Sequence, residues 1–252
     1  MLQPGGSFGR DLSHERGKSG GLIRNFQANQ EEMSAGLVWS EEVVYRCLID
    51  SMFLRAFLAI VVWFVLSAAG VVAAPFSTVV IDAGHGGSDR GGIPQNIIPE
   101  KGVALDVSKR VRTYLQNAGL RVVMTRSDDT FIPLSFRVAA SNRQSNAVFV
   151  SIHFNSATRV GARGVETFYF SQSGARLASY IHRRVAATTD GDNRGIKRAR
   201  YYVLRNNKKT AVLVECGFLT NPQDTALARS AAYRDRLARA IAQGILDYRR
   251  QL

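Results

Sequence analysis

The chain has 252 residues, 46% apolar and 21% charged, which is enough apolar material for a packed core in one large domain or a domain with extensions. Two cysteines exclude a disulfide framework. Of 33 basic and 20 acidic side chains, 27 and 13 fall in residues 75–252, so the globular part suits an anionic partner or carries a basic solvated surface; with no RNA-motif aromatics and no zinc-finger spacing, a nucleic-acid partner is not expected.

Residues 1–51 are rich in Gly, Gln, Asn and charge with no sustained period, and read as a disordered extension. Met52-Phe53-Leu54-Arg55 then opens a wholly apolar run, Ala56 to Leu66, followed by the small residues Ser67 to Ala74. A positive start, an apolar centre and small residues at the end are the order of a secretory signal peptide. Met52 then reads as the true start, with residues 1–51 the product of an over-extended reading frame. The alternative is an uncleaved membrane anchor, because Ala56–Ala74 is just long enough to span a bilayer. Either reading exports residues 75–252 to the periplasm or the cell exterior. Cys47 and Cys216 lie on opposite sides of this segment; Cys216 reads as a small buried apolar residue rather than a nucleophile.

From Thr78 onward strands and helices alternate. The pattern predicts a strand over Thr78–Asp82 and a Gly-rich turn carrying His85. A helix follows from about Gly102 to Ala118, with Ala104, Val107, Val111 and Leu115 on one face and Gly119 as its stop. Further strands are predicted at Leu120–Thr125, Ala147–Ile152, Gly164–Phe170 and Ala211–Glu215, and further helices at Leu134–Gln144 and Gly174–Thr189. Residues 190–210, polar and basic, read as a surface loop. Asn221-Pro222 pairs a cap with a first-turn proline and starts the last helix, which is expected to run to about residue 250. The expected architecture is α/β: a single three-layer domain over 75–252, its twisted sheet mostly parallel with helices on both faces.

Three apolar strands each lead to a residue able to bind a metal or move a proton: His85, His153 and Glu215. Glu100 opens the first helix. If the three strands are parallel neighbours, these ends converge on one edge of the sheet. Two imidazoles and a carboxylate suit catalytic zinc, with a position left for water and a second carboxylate to take its proton. Each residue has a plainer reading: a loop or core histidine for His85 and His153, a helix-start acid for Glu100, a solvated strand end for Glu215. His182, in mid-helix beside Arg183 and Arg184, reads as a surface residue. Glu166 is either a partner to the site or a solvent-face side chain.

Residues 78–250 resemble the zinc-dependent N-acetylmuramoyl-L-alanine amidases of bacterial cell walls, the amidase-3 type. The motifs that carry the likeness are Ile81-Asp82-Ala83-Gly84-His85-Gly86-Gly87, Glu100-Lys101, Met124-Thr125-Arg126, Ser151-Ile152-His153-Phe154-Asn155, Gly164-Val165-Glu166-Thr167 and Val214-Glu215-Cys216-Gly217-Phe218-Leu219-Thr220-Asn221, in that order. The resemblance implies that His85, Glu100 and His153 bind Zn2+ and that Glu215 is the catalytic carboxylate. It implies a hydrolase that cuts between the muramic lactyl group and L-alanine of peptidoglycan; the chain itself is expected to be a monomer. Some periplasmic members cover the site with a long helical insert between the second histidine and the catalytic glutamate; residues 190–210 are too short for one. The competing readings are a zinc peptidase acting within the stem peptide and a non-catalytic wall-binding protein on the same fold.

Overall fold

The computed structural model describes residues 41–67, 75–92, 97–159 and 161–252. The chain divides into two compact units, Met1–Val71 and Val72–Leu252. In the first, α1 (Glu41–Ser67) runs without a break from the expected extension into the expected signal segment. It leaves Met52, Phe53, Leu54, Phe57 and Ile60 exposed. Among the described residues no helix is long and apolar enough to cross a membrane. Residues 1–40 and 68–74, which hold the rest of the extension and the expected cleavage region, lie outside the described residues.

The second unit contains β1 (Thr78–Ala83), α2 (Glu100–Asn117), β2 (Arg121–Met124), α3 (Leu134–Asn142), β3 (Ala147–Asn155), β4 (Val165–Tyr169), α4 (Gln172–Ala186), β5 (Asn193–Arg198), α5 (Tyr202–Arg205), β6 (Thr210–Phe218), α6 (Pro222–Arg229) and α7 (Ala231–Arg249). The strands form one sheet in the order β2-β1-β3-β6-β4-β5. All pairs are parallel except β4 with β6. The period-two alternation of each strand sends side chains to two separate cores. Val79, Ile81, Val150, Ile152, Val212 and Val214 pack with the apolar faces of α2, α4 and α7. On the opposite face Val80, Phe149, Phe168 and Leu213 pack with Val138 of α3 and Val203 and Leu204 of α5. This is the expected three-layer arrangement.

The last helix starts where the sequence places it, but the single helix expected to about residue 250 is two, α6 and α7, because Ser230 is extended and caps α7 by accepting from the Tyr233 N–H. Asn221 accepts from the backbone N–H groups of Gln223 and Asp224, and Pro222 fills the first turn of α6. Asp224 in turn is buried and accepts from the N–H groups of Gly164 (2.8 Å) and Phe218 (2.9 Å), tying β4's entry to the end of β6.

Residues 190–210 are not a loop. They form the edge strand β5 and the short helix α5. Asn193-Arg194-Gly195-Ile196-Lys197-Arg198 lacks the alternation of a half-buried strand because it lies at the sheet's edge, where charge guards against unwanted pairing. His182 is also placed differently from expectation. It is 6% exposed, with Nδ1 facing Thr167 Oγ1 at 3.2 Å and Nε2 facing Asn193 Oδ1 at 2.7 Å. The arginines beside it occupy the helix's outer face while its own ring faces β4 and β5.

Candidate active site

β1, β3 and β6 are adjacent and parallel, so their C-terminal ends open onto one edge of the sheet. There they border a cleft of about 840 Å³, lined among others by His85, Glu100, His153 and Glu215. The structure therefore brings together all four residues singled out in the sequence.

Each is placed by an identifiable device. His85 sits just beyond β1 in the left-handed region, φ 59°, a strained conformation for a non-glycine residue. Two buried arginines hold that turn by its carbonyl groups. Arg126 donates to Ala83 O (3.0 Å) and Gly84 O (2.6 Å), and Arg137 donates to Ala83 O and His85 O at 2.7 Å each. Arg137 is neutralised by Asp82, 2.8 Å away, which also accepts from Thr125 (2.6 Å) and Ser151 (2.7 Å). Burial would raise the Asp82 carboxyl, but the Arg137 guanidinium and the two hydroxyls hold it below the ordinary range. Two glycines let the parts close up. A Cβ at Gly84 would lie 2.4 Å from the His153 ring, and one at Gly91 would lie 2.6 Å from both Glu100 and His85.

Glu100, the first residue of α2, is 2% exposed and bridges the two histidines. Its Oε2 lies 3.0 Å from His85 Nε2 and its Oε1 lies 2.8 Å from His153 Nδ1. Oε1 also accepts from the Phe154 N–H at 3.0 Å. The imidazole rings stand edge to face with centroids 4.8 Å apart. One ligand atom from each of the three residues lies within 4.8 Å of the others. Asp89 Oδ2, 2.8 Å from His85 Nδ1, fixes that proton and turns Nε2 toward Glu100. Burial would raise the Glu100 carboxyl, but hydrogen bonds and charge from His153 and His85 outweigh it and hold it at about 2. Burial likewise opposes a charge on His85, while Glu100 and Asp89 together raise its pKa above the ordinary value.

Glu215 lies on β6 directly opposite His153. Burial, reinforced by the Glu100 and Glu166 carboxylates, pushes its carboxyl well above the ordinary range. Its Oε2 is buried with no hydrogen-bond partner among the described residues, the condition of an acid or base waiting for a substrate proton. Two imidazoles and a carboxylate within ligand reach of one another, beside that orphaned oxygen, fit a divalent cation with one position left for water.

Glu166 is a partner to the site. It is 4% exposed and pairs with Glu215 across β4 and β6. It accepts from Asn155 Nδ2 at 2.5 Å and from Arg194 at 3.2 Å, and it also pairs with Lys197. Cys216 is buried and free, with its thiol pushed well above the ordinary value by burial, an inert packing residue. The roles of Asp89, Arg137 and Asn155 were not visible in the sequence. Arg137 carried no signal at all, since a mid-helix arginine reads as surface charge.

The profile of the Amidase_3 family, N-acetylmuramoyl-L-alanine amidase, matches residues 79–247. The chain is 39% identical over 177 residues to the N-acetylmuramoyl-L-alanine amidase LytC of Bacillus subtilis (strain 168), a match covering 69% of this chain and 36% of that one. It is 34% identical to the amidase AmiA of Escherichia coli (strain K12), covering 68% of this chain and 75% of the relative. The catalytic domain of CwlV from Bacillus (Paenibacillus) polymyxa var. colistinus superposes with a TM-score of 0.66 at 37% identity, covering 68% of this chain and 97% of that domain. The chain thus spans about a third of LytC and nearly all of the CwlV catalytic domain, and with its fold and cleft it belongs to the N-acetylmuramoyl-L-alanine amidase family, Amidase_3.

Proposed function

We propose that the chain is a zinc-dependent amidase that hydrolyses the bond between the lactyl group of N-acetylmuramic acid and L-alanine in peptidoglycan. The observation that carries this reading is the constellation of two imidazoles and a carboxylate within 4.8 Å of one another, with Glu215 opposite His153. His85, Glu100 and His153 are the ligands. The chemistry zinc supplies when bound is Lewis acidity toward the amide carbonyl and a lowering of water's pKa to about 7. Glu215 accepts the water proton on its unpartnered carboxylate and returns it to the departing alanine nitrogen. Its buried setting raises its proton affinity, which suits it to hold the proton between those two events. Asp89 keeps the His85 ring in the tautomer that presents Nε2.

Residues 52–74 serve as the export signal or anchor, placing the domain with the wall polymer outside the cytoplasm. The basic balance of residues 75–252 steers it toward anionic wall material, so its rate on intact wall falls with salt. Mass spectrometry of purified peptidoglycan digested by the protein tests the function. The expected products are stem peptides with a free L-alanine amino group and glycan stripped of peptide. Shortened peptides still attached to glycan would identify a peptidase, and wall binding without release would identify a binding protein.

A further inference from the structure

Asn155 lies two residues beyond His153 on β3 and lines the same cleft. Its carboxamide is locked from both sides. Oδ1 accepts from the Ser156 N–H at 2.7 Å, and Nδ2 donates to Glu166 Oε1 at 2.5 Å. A backbone N–H can only donate and a carboxylate can only accept, so these neighbours fix which end of the amide is oxygen and which is nitrogen. The Glu166 carboxylate is itself immobilised, its other oxygen paired with both Arg194 and Lys197. Arg194 in turn stacks over Phe218, with its guanidinium 4.9 Å from the ring centroid. Three charged residues and an aromatic ring thus hold one neutral amide at the cleft wall. That is more scaffolding than a solvated asparagine needs. The arrangement uses one of the two Nδ2 protons; the other has no protein acceptor among the described residues.

We propose that this second Nδ2 proton donates to the carbonyl oxygen of the scissile amide, making Asn155 a substrate-contacting group of the hydrolysis and Glu166 its positioning residue. The inference rests on the amidase reading above. As water adds to the carbonyl carbon, negative charge builds on that oxygen, and a donor already fixed in place binds it more strongly than it bound the neutral carbonyl. Rigidity is therefore the useful property, and the Glu166–Arg194–Lys197 cluster provides it.

The test is steady-state kinetics on a soluble muropeptide, run on the zinc-loaded protein, with metal content and thermal unfolding measured on every variant. Asn155→Ala is expected to keep its zinc and its melting temperature, to lower kcat about 100-fold and to leave KM nearly unchanged. Glu166→Ala is expected to lower kcat about tenfold through a loosened amide, and Glu166→Gln, which keeps an acceptor for Asn155, to recover most of that loss. A wild-type kcat in Asn155→Ala, a change confined to KM, or a loss of rate that only follows loss of zinc overturns the proposal. If Asn155→Ala does not fold, Asn155→Ser, which keeps a short acceptor for the Ser156 N–H, is judged on the same criteria. A wild-type protein that releases no stem peptide defeats the amidase reading instead; an active wild type with an equally active Asn155 variant defeats this inference alone.

Discussion

Substituting Gly84 by alanine strikes the site through one methyl group. The new Cβ would lie 2.4 Å from His153 Cε1, 2.6 Å from Nδ1 and 2.7 Å from Nε2, where ordinary contact begins at 3.4 Å. The backbone cannot retreat. The Gly84 N–H is bonded to Ile152 O at 3.0 Å and its carbonyl to Arg126 at 2.6 Å. The ring must therefore move by about 1 Å, and the Nδ1 that faces Glu100 at 2.8 Å goes with it. Overpacking of this kind costs about 1–3 kcal/mol of stability. A ligand misplaced by about 1 Å costs on the order of 100-fold in rate. Gly102→Ala is the matched control, since a Cβ there meets nothing within 4 Å and the residue lies inside α2; it should gain about 0.4–1 kcal/mol through the unfolded chain and leave activity alone. Urea unfolding, zinc affinity and muropeptide hydrolysis on both variants decide the matter. A Gly84→Ala protein with wild-type stability and wild-type rate would refute the close-packing argument.

Three further outcomes are expected. Asp82→Ala leaves Arg137 buried without its counter-ion and should cost about 3–5 kcal/mol in urea unfolding; a cost below about 1 kcal/mol would show that the pair does not anchor the His85 turn. In chelated protein, Glu215 holds its proton above the ordinary 4.5 while the unfolded chain releases it. Wild-type stability should then fall as pH rises from 4.5 toward neutrality, and Glu215→Gln should remove that decline; parallel stability curves would contradict the raised pKa. His182→Ala leaves Thr167 and Asn193 without their bridging ring and should cost about 1–3 kcal/mol with zinc content unchanged. Loss of zinc in that variant would place the bridge in the site rather than in the packing between α4, β4 and β5.

The parts of the molecule legible in the sequence are those where one local rule decides. Apolar runs became the central strands β1, β3 and β6, and the residues just past their ends became the cleft. Three sequence-distant residues, His85, His153 and Glu215, converge because parallel neighbours share an orientation, which the alternating pattern already implied, and Glu100 joins them from the start of α2. What escaped was decided by tertiary context. β5 is a charged edge strand whose pairing partner, β4, lies elsewhere in the chain, so no alternation announces it. His182 has arginines for neighbours in sequence, yet its ring is sealed under β4 and β5. Arg137 is buried only because Asp82 and three carbonyl groups await it from other segments. Glu166 could not be assigned from its strand because its direction depends on Asn155, Arg194 and Lys197.

Metal stoichiometry and activity, measured on one set of purified variants, separate the residues that hold the ion from the one that moves the proton. One zinc per chain is expected in the wild type, with loss of the metal in His85→Ala, Glu100→Ala and His153→Ala, and full metal with no hydrolysis in Glu215→Gln. A Glu215→Gln protein that still releases stem peptides, or ligand variants that keep both zinc and activity, would contradict it.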